Sequence, residues 1–108
     1  MNKKALNRIS VIVPAKNEQA HIEMCLMALK NQDYDKEFYE IVVVDNNSTD
    51  ETVNIVKKMN NVRLILCPSG SVGRVRNAGA ECAEGTILAF IDADCVAPAD
   101  WLTKTIVS

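Results

Sequence analysis

The sequence predicts an α/β fold, a doubly wound and mainly parallel sheet, and three features of its pattern carry that prediction. Four short apolar runs, Ile9 to Val13, Glu40 to Val44, Val62 to Cys67 and Thr86 to Ile91, are rich in β-branched and aliphatic residues. They are nearly continuous in hydrophobicity rather than alternating, which is the habit of parallel strands covered by helices on both faces. Stretches of helical spacing alternate with these runs, giving the order β-α-β-α-β-α-β-α, for which right-handed crossovers are expected. Finally, acidic and amide side chains gather immediately after the runs, where an open α/β sheet meets its ligand.

Taken in order, the first run gives way to Pro14, Ala15, Lys16, Asn17 and Glu18, and then to Ile22, Cys25, Leu26 and Leu29 at i, i+3, i+4 and i+7, one apolar face of a helix. His21 falls at the start of that helix with no nucleophile beside it and is read as a surface residue. After the second run come Asp45, Asn46, Asn47, Ser48, Thr49 and Asp50; Ser48 followed by Glu51 is a capping-box signature for a helix reaching about Met59. The third run leads through Pro68 to Gly73 into a helix whose buried stripe is Val75, Ala78, Gly79 and Cys82, stopped by Gly85. The fourth ends at Asp92, Ala93 and Asp94, and a last helix opens near Pro98.

Composition bounds the rest. The 108 residues carry 12 Lys+Arg against 14 Asp+Glu, a formal charge of −2, with 48% hydrophobic and 24% charged residues. That is the balance of a globular chain and excludes a polybasic nucleic-acid arm, an acidic tail or a disordered polymer. The length suits one small domain, or part of a larger one. No apolar run approaches the roughly 20 residues that cross a bilayer, and Met1 to Arg8 lacks the apolar stretch of a secretory signal, so the chain reads as cytoplasmic. Cys25, Cys67, Cys82 and Cys95 lie far apart, without a C-x-x-C pair, and read as reduced, buried thiols.

The sharpest chemical feature is the pair Asp92 and Asp94, two hard oxygen ligands one residue apart that can share a divalent cation with water and phosphate oxygens. The bland alternative is an Asx turn after a strand; the position directly after an apolar run favours the metal. Asp45 ends the second run, where a dinucleotide-binding fold holds a ribose hydroxyl and where, equally, any βα loop could begin. The first loop has no G-x-G-x-x-G, so the sequence does not point to a nicotinamide or flavin cofactor. Asp50 reads as structural, an acid favoured by the macrodipole of the first helical turn. Arg74 and Arg76 follow Ser69, Gly70, Ser71 and Gly73 at a helix start, where a cation opposes the dipole; they are either solvated arginines balanced by Glu81 or Glu84, or contacts for a phosphate.

Four blocks then resemble one family. Val11, Ile12, Val13, Pro14, Ala15, Lys16, Asn17 and Glu18; Val43, Val44, Asp45, Asn46, Asn47, Ser48, Thr49, Asp50 and Thr52; Gly73, Arg74, Val75, Arg76, Asn77, Ala78 and Gly79; and Phe90, Ile91, Asp92, Ala93 and Asp94 resemble the family 2 glycosyltransferases of GT-A fold, over about residues 9 to 102. The resemblance implies a Rossmann-like core. It implies that Pro14, Glu18 and Asp45 line the pocket for the nucleotide base and ribose, and that Arg76 and Asn77 border it. It implies, too, that Asp94 binds Mg²⁺ or Mn²⁺ directly while Asp92 lies closer to the ribose. Two positions depart from the family's habit: Asn46 stands where a second acid is common, and Lys16 where an aromatic is common.

The activity so implied is transfer of a sugar from a nucleotide-diphosphate donor to a saccharide, lipid or protein acceptor, metal-dependent and inverting, with residues 1–108 as the donor-binding half. The general base is expected beyond residue 108, so the chain alone is expected to transfer no sugar, and no nucleic-acid partner is expected. In a longer protein the inner face of a membrane is a second place to consider after the cytoplasm. An open apolar edge from Thr86 to Ile91 is expected to favour self-association. Two rivals remain: a haloacid-dehalogenase-type phosphatase using Asp92 as nucleophile in D-x-D-x-V, disfavoured because three βα units precede the motif, and a non-catalytic nucleotide-binding domain.

Overall fold

A computed structural model describes residues 7–68 and 71–107. Strand β1 is Ile9–Ala15, helix α1 Ile22–Lys30, β2 Tyr39–Asp45, α2 Thr52–Lys57, β3 Val62–Leu66, α3 Val72–Cys82, β4 Ile87–Phe90 and α4 Trp101–Val107, with a 3-10 turn at Lys36–Phe38. Ser69 and Gly70 of the third loop, and the start of the Met1 to Arg8 segment, lie outside the described residues. All pairings are parallel and the strand order is β3-β2-β1-β4. The α/β class and the order of elements are therefore as the sequence predicts.

Strand β1 runs through Pro14, one residue type that central strands rarely hold. The register explains it. The Ile12 carbonyl accepts from Ile91 N–H at 3.1 Å, so even-numbered residues of β1 turn their backbone groups towards β4. Strand β4, however, ends at Phe90, opposite Ile12. Residue 14 would be the next donor towards β4, and proline has no N–H to give, so the ladder stops there and β4 ends at Phe90.

Side chains alternate across the sheet and fill two cores. Ile9, Val11, Val13, Ile41 and Val43 pack with Ile22, Cys25, Leu26 and Leu29 of α1, Val56 of α2 and Leu102 of α4. On the opposite face Ile12, Val42 and Val44 meet Val75 of α3. Helices thus cover both faces. Gly79 lets α3 approach closely, since a Cβ there would lie 2.5 Å from Ile12 Cγ2.

Several local expectations are corrected. Only β1 and β2 are buried on both faces; β3 is a sheet edge with Leu66 exposed, because hydrophobic runs do not reveal how many neighbours a strand has, while β4 is the open edge expected for it, with Leu88 and Phe90 exposed. The capping box does not form: α2 begins at Thr52, after Glu51, and Ser48 Oγ instead accepts from Asn17 N–H at 2.8 Å. Gly85 does not supply a left-handed stop. The last helix begins at Trp101, after Pro98. Helix α3 ends at Cys82, and a Cβ on Gly85 would fall 2.7 Å from Ser10 N and 2.8 Å from Ile9 C, so glycine is needed there for close approach to β1. Cys25 and Cys67 are buried, but Cys82 and Cys95 are exposed. Cys82 misses the core because it is the helix's last residue.

The end of the sheet remote from the candidate site is tied by Glu40. Its Oε2 accepts from Ser10 Oγ at 2.6 Å and Glu84 N–H at 2.7 Å, and its Oε1 from Arg63 at 2.8 Å. Burial alone would raise this carboxyl, but those hydrogen bonds outweigh it and hold the acid below its ordinary value of 4.5. A lowered folded pKa means a contribution that is complete above the unfolded glutamate's range and fades as pH falls through the folded value. The stability gap between the wild type and Glu40→Gln is accordingly expected to shrink on acidification below about pH 4.5 in thermal unfolding. A gap independent of pH would assign the network's contribution to its neutral hydrogen bonds.

Candidate functional site

The chain steps outward from β1 to β2 to β3 and then returns to the other side of β1 as β4, so the reversal of strand order lies between β1 and β4. Ligands of open α/β sheets settle beyond the carboxyl ends of the strands at such a point. Here β4 stops opposite Ile12 while β1 continues to Ala15, which leaves a step in the sheet's rim. A crevice of about 290 Å³ occupies that step. Pro14 and Glu18 come to it from the end of β1 and the loop beyond, Arg76 from α3, and Asp92 from the turn after β4. Lys16 and Asn46, the two departures from the family's habit, also line it, and Val72 and Val75 supply an apolar wall.

The remaining sequence-predicted residues stand apart from these four in different ways. Asp45 ends β2 and is only 3% exposed; its Oδ2 accepts from Ser48 N–H at 3.0 Å, whereas its buried Oδ1 has no hydrogen-bond partner among the described residues. A buried carboxylate oxygen without a donor is costly, and a ligand donor would relieve that cost. Asn77 is exposed on the outer side of α3, in a groove with Ser71, Arg74 and Glu81, and is not brought into the crevice. Asp94 is exposed in the turn that carries Asp92.

Arg74 and Arg76 separate accordingly. Helix α3 is capped by Ser71, whose hydroxyl accepts from Arg74 N–H, and Arg74 faces the outer groove. Arg76 reaches the crevice with its guanidinium 5.3 Å from the centre of the Phe90 ring, a cation–π contact that orients it. Glu84, one of the acids proposed to balance these arginines, lies 3.7 Å from Arg63 instead. His21 is exposed, as expected, with Nδ1 3.1 Å from Glu18 Oε1.

Asp92, Asp94 and Cys95 can each turn one ligand atom to within 4.8 Å of the others. Two carboxylates provide hard, charged oxygens, so the donor set fits Mg²⁺ or Mn²⁺. Cys95 has no C-x-x-C partner, and its sequence signal is its adjacency to D-x-D. Local desolvation and then the Asp94 carboxylate push its thiol above the usual range. Cys25 lies beneath the same turn, its Sγ 3.7 Å from the Asp92 carbonyl, and burial together with these neighbours pushes its thiol up to about 11. It is a core thiol, not a nucleophile.

The profile of Glycosyl transferase family 2 matches residues 10–107. The chain belongs to this family. Among family 2 relatives, glycosyltransferase AglE of Haloferax volcanii is 39% identical over 102 residues, covering 89% of this chain and 33% of AglE. The poly(ribitol-phosphate) beta-N-acetylglucosaminyltransferase TarS of Staphylococcus aureus is 40% identical over 92 residues, covering 81% of this chain and 16% of TarS. Two solved structures resemble this one closely. TarS 1–349 in complex with UDP-GlcNAc has a TM-score of 0.84 at 34% identity, covering 93% of this chain and 30% of that one. The mannosyltransferase PcManGT of Pyrobaculum calidifontis, in complex with GDP-Man and Mn²⁺, has a TM-score of 0.88 at 31% identity, covering 93% and 31%. The family 2 chain thus spans a third or less of the length of these relatives. Its fold is the GT-A, Rossmann-like core, and the phosphatase reading of Asp92 is not favoured.

Proposed function

We propose that this chain is the donor-binding part of a metal-dependent, inverting glycosyltransferase that moves a sugar from a nucleotide diphosphate to an acceptor hydroxyl. The observation that carries the reading is the crevice at the topological switch, which gathers Pro14, Glu18, Arg76 and Asp92 beside Asp94. UDP-GlcNAc in the TarS complex and GDP-Man in the PcManGT complex support the donor class. In this reading Asp45 and Glu18 accept hydrogen bonds from the nucleoside, and Pro14 packs against it. Lys16 and Arg76 offer positive charge to the diphosphate, and Asp92 serves the ribose side. A divalent cation held by Asp94, with Asp92, would neutralise the diphosphate leaving group as a Lewis acid. The base for the acceptor hydroxyl is assigned to sequence outside these 108 residues, and the acceptor to a saccharide, lipid or protein. The proposed location is the cytoplasm or a membrane's inner face; among the described residues no helix is long and apolar enough to cross a membrane.

Release of nucleoside diphosphate should be assayed with a panel of donors and acceptors. The full-length protein is expected to turn over and residues 1–108 alone are not, because positioning a nucleophile and its base is a separate part of catalysis. Acceptor-dependent turnover by the short chain would overturn the division of labour. The same sample in sedimentation is expected to self-associate through the β4 edge, where Leu88 is 40% and Phe90 37% exposed. A monomer at high concentration would contradict that expectation.

A further inference from the structure

The loops after β1 and β2 are joined by side-chain hydrogen bonds that span about thirty positions of sequence. Asn17 N–H donates to Ser48 Oγ at 2.8 Å, and Thr49 N–H returns a bond to Asn17 Oδ1 at 2.8 Å. Glu18 N–H donates to Thr52 Oγ1 at 2.8 Å, and Gln19 N–H to Asp50 Oδ2 at 3.2 Å. Glu51 N–H donates back to Gln19 Oε1 at 3.0 Å. Behind these, Asp50 Oδ1 accepts from both the backbone N–H and the hydroxyl of Thr52, at 2.9 and 2.5 Å. Thr52 is fully buried, and Asn17 takes a left-handed φ of 53° that brings its amide to Ser48.

Nothing about covering a core requires this. A helix start needs one cap, whereas here two hydroxyls each accept a backbone N–H from the other loop. The two loops carry the two acids that face the nucleoside in the proposed function, Glu18 on one and Asp45 on the other. Asp45 is tied into the same set through Ser48, whose N–H it accepts.

We infer that Ser48 and Thr52, with Asp50 behind Thr52, are positioning residues that fix the separation of Glu18 and Asp45 for the nucleoside without touching it. The inference rests on the crevice binding a nucleotide. Thr52 acts as a relay: its hydroxyl proton is committed to Asp50, so its lone pairs are left for Glu18 N–H. Serine at 52 preserves both bonds, while valine has the same shape and neither. Local desolvation would raise the Asp50 carboxyl, but its bonds from Thr52 and Gln19 prevail and keep it below the ordinary range, ionised to receive them.

The test compares Thr52→Val, Thr52→Ser and Ser48→Ala in the full-length protein. Two readouts are needed: amide hydrogen exchange without ligand, and calorimetric binding of uridine and guanosine diphosphates with Mn²⁺. Thr52→Val is expected to speed exchange at Glu18 while the β1 amides stay protected, and to weaken nucleotide binding about tenfold, the size of one hydrogen bond. Thr52→Ser is expected to restore both. Ser48→Ala repeats the test at Asn17 should valine at 52 prevent folding. Faster exchange with unchanged affinity would reduce the clamp to a structural device and overturn the inference alone. Unchanged exchange would overturn it as well, whatever the affinity. A wild type that binds neither nucleotide would overturn the crevice reading and the positioning role together.

Discussion

Asp94→Ala is expected to abolish the Mn²⁺-dependent part of nucleoside diphosphate binding, lowering affinity by about 100-fold or more. The scale follows from metal sites generally, where loss of an outer partner alone costs about 10- to 100-fold, so loss of a direct ligand should cost at least as much. Asp94 is exposed in the turn after β4, and its carboxylate is one of the two in the group it forms with Asp92 and Cys95. Because no core contact depends on it, thermal stability should change little. Calorimetric titration with and without Mn²⁺ checks the effect. Equal affinity in the two conditions for the wild type, or no loss in Asp94→Ala, would remove the metal from this turn.

The second large effect is expected at Asp45. Asparagine keeps one oxygen to accept from Ser48 N–H and replaces the unpartnered Oδ1 with a donor. The fold should therefore survive, and relief of a buried charge without a donor should even favour it. A nucleoside N–H that Oδ1 accepts would instead face an amide N–H. Losing a hydrogen bond to a charged partner costs about 1.5 to 3 kcal/mol, so nucleotide binding should weaken about 10- to 100-fold. Unchanged affinity, with unchanged circular dichroism, would leave Asp45 as the organiser of its own loop.

The division between what was legible in the sequence and what was not follows the range of the interactions. Strands β1 and β2 were legible because burial on both faces leaves a continuous apolar run, and the α1 stripe of Ile22, Cys25, Leu26 and Leu29 is buried in full. The β3 edge is not legible, because Val62 to Cys67 looks the same whether one neighbour is present or two. The β1 strand end was read short at Val13, since Pro14 ends the ladder to β4 without ending β1 itself. Ser48 with Glu51 satisfies a local capping rule, but Asn17, 31 positions away, claims the hydroxyl. Gly85 likewise answers to Ser10 across the sheet rather than to its own helix.

At the site, strand ends are where topology sends ligands, so Pro14, Glu18 and Asp92 are legible from sequence position, whereas the helix start marks Arg74 and Arg76 alike and only the family resemblance singles out Arg76. The clamp of Asn17, Ser48, Asp50 and Thr52 is not legible there, because its bonds join two loops that only the parallel register brings together. Asp50 was read as structural, and its bonds to Thr52 and Gln19 are of that kind.

The most direct test of the central claim is anomalous diffraction at the manganese edge from crystals of the full-length protein grown with a nucleoside diphosphate and Mn²⁺. The expected result is a manganese peak at the Asp92–Asp94 turn, with the nucleoside between Pro14, Glu18 and Asp45 and the diphosphate towards Arg76. A nucleotide in the outer groove beside Arg74 and Asn77, or a manganese peak away from Asp94, would contradict it.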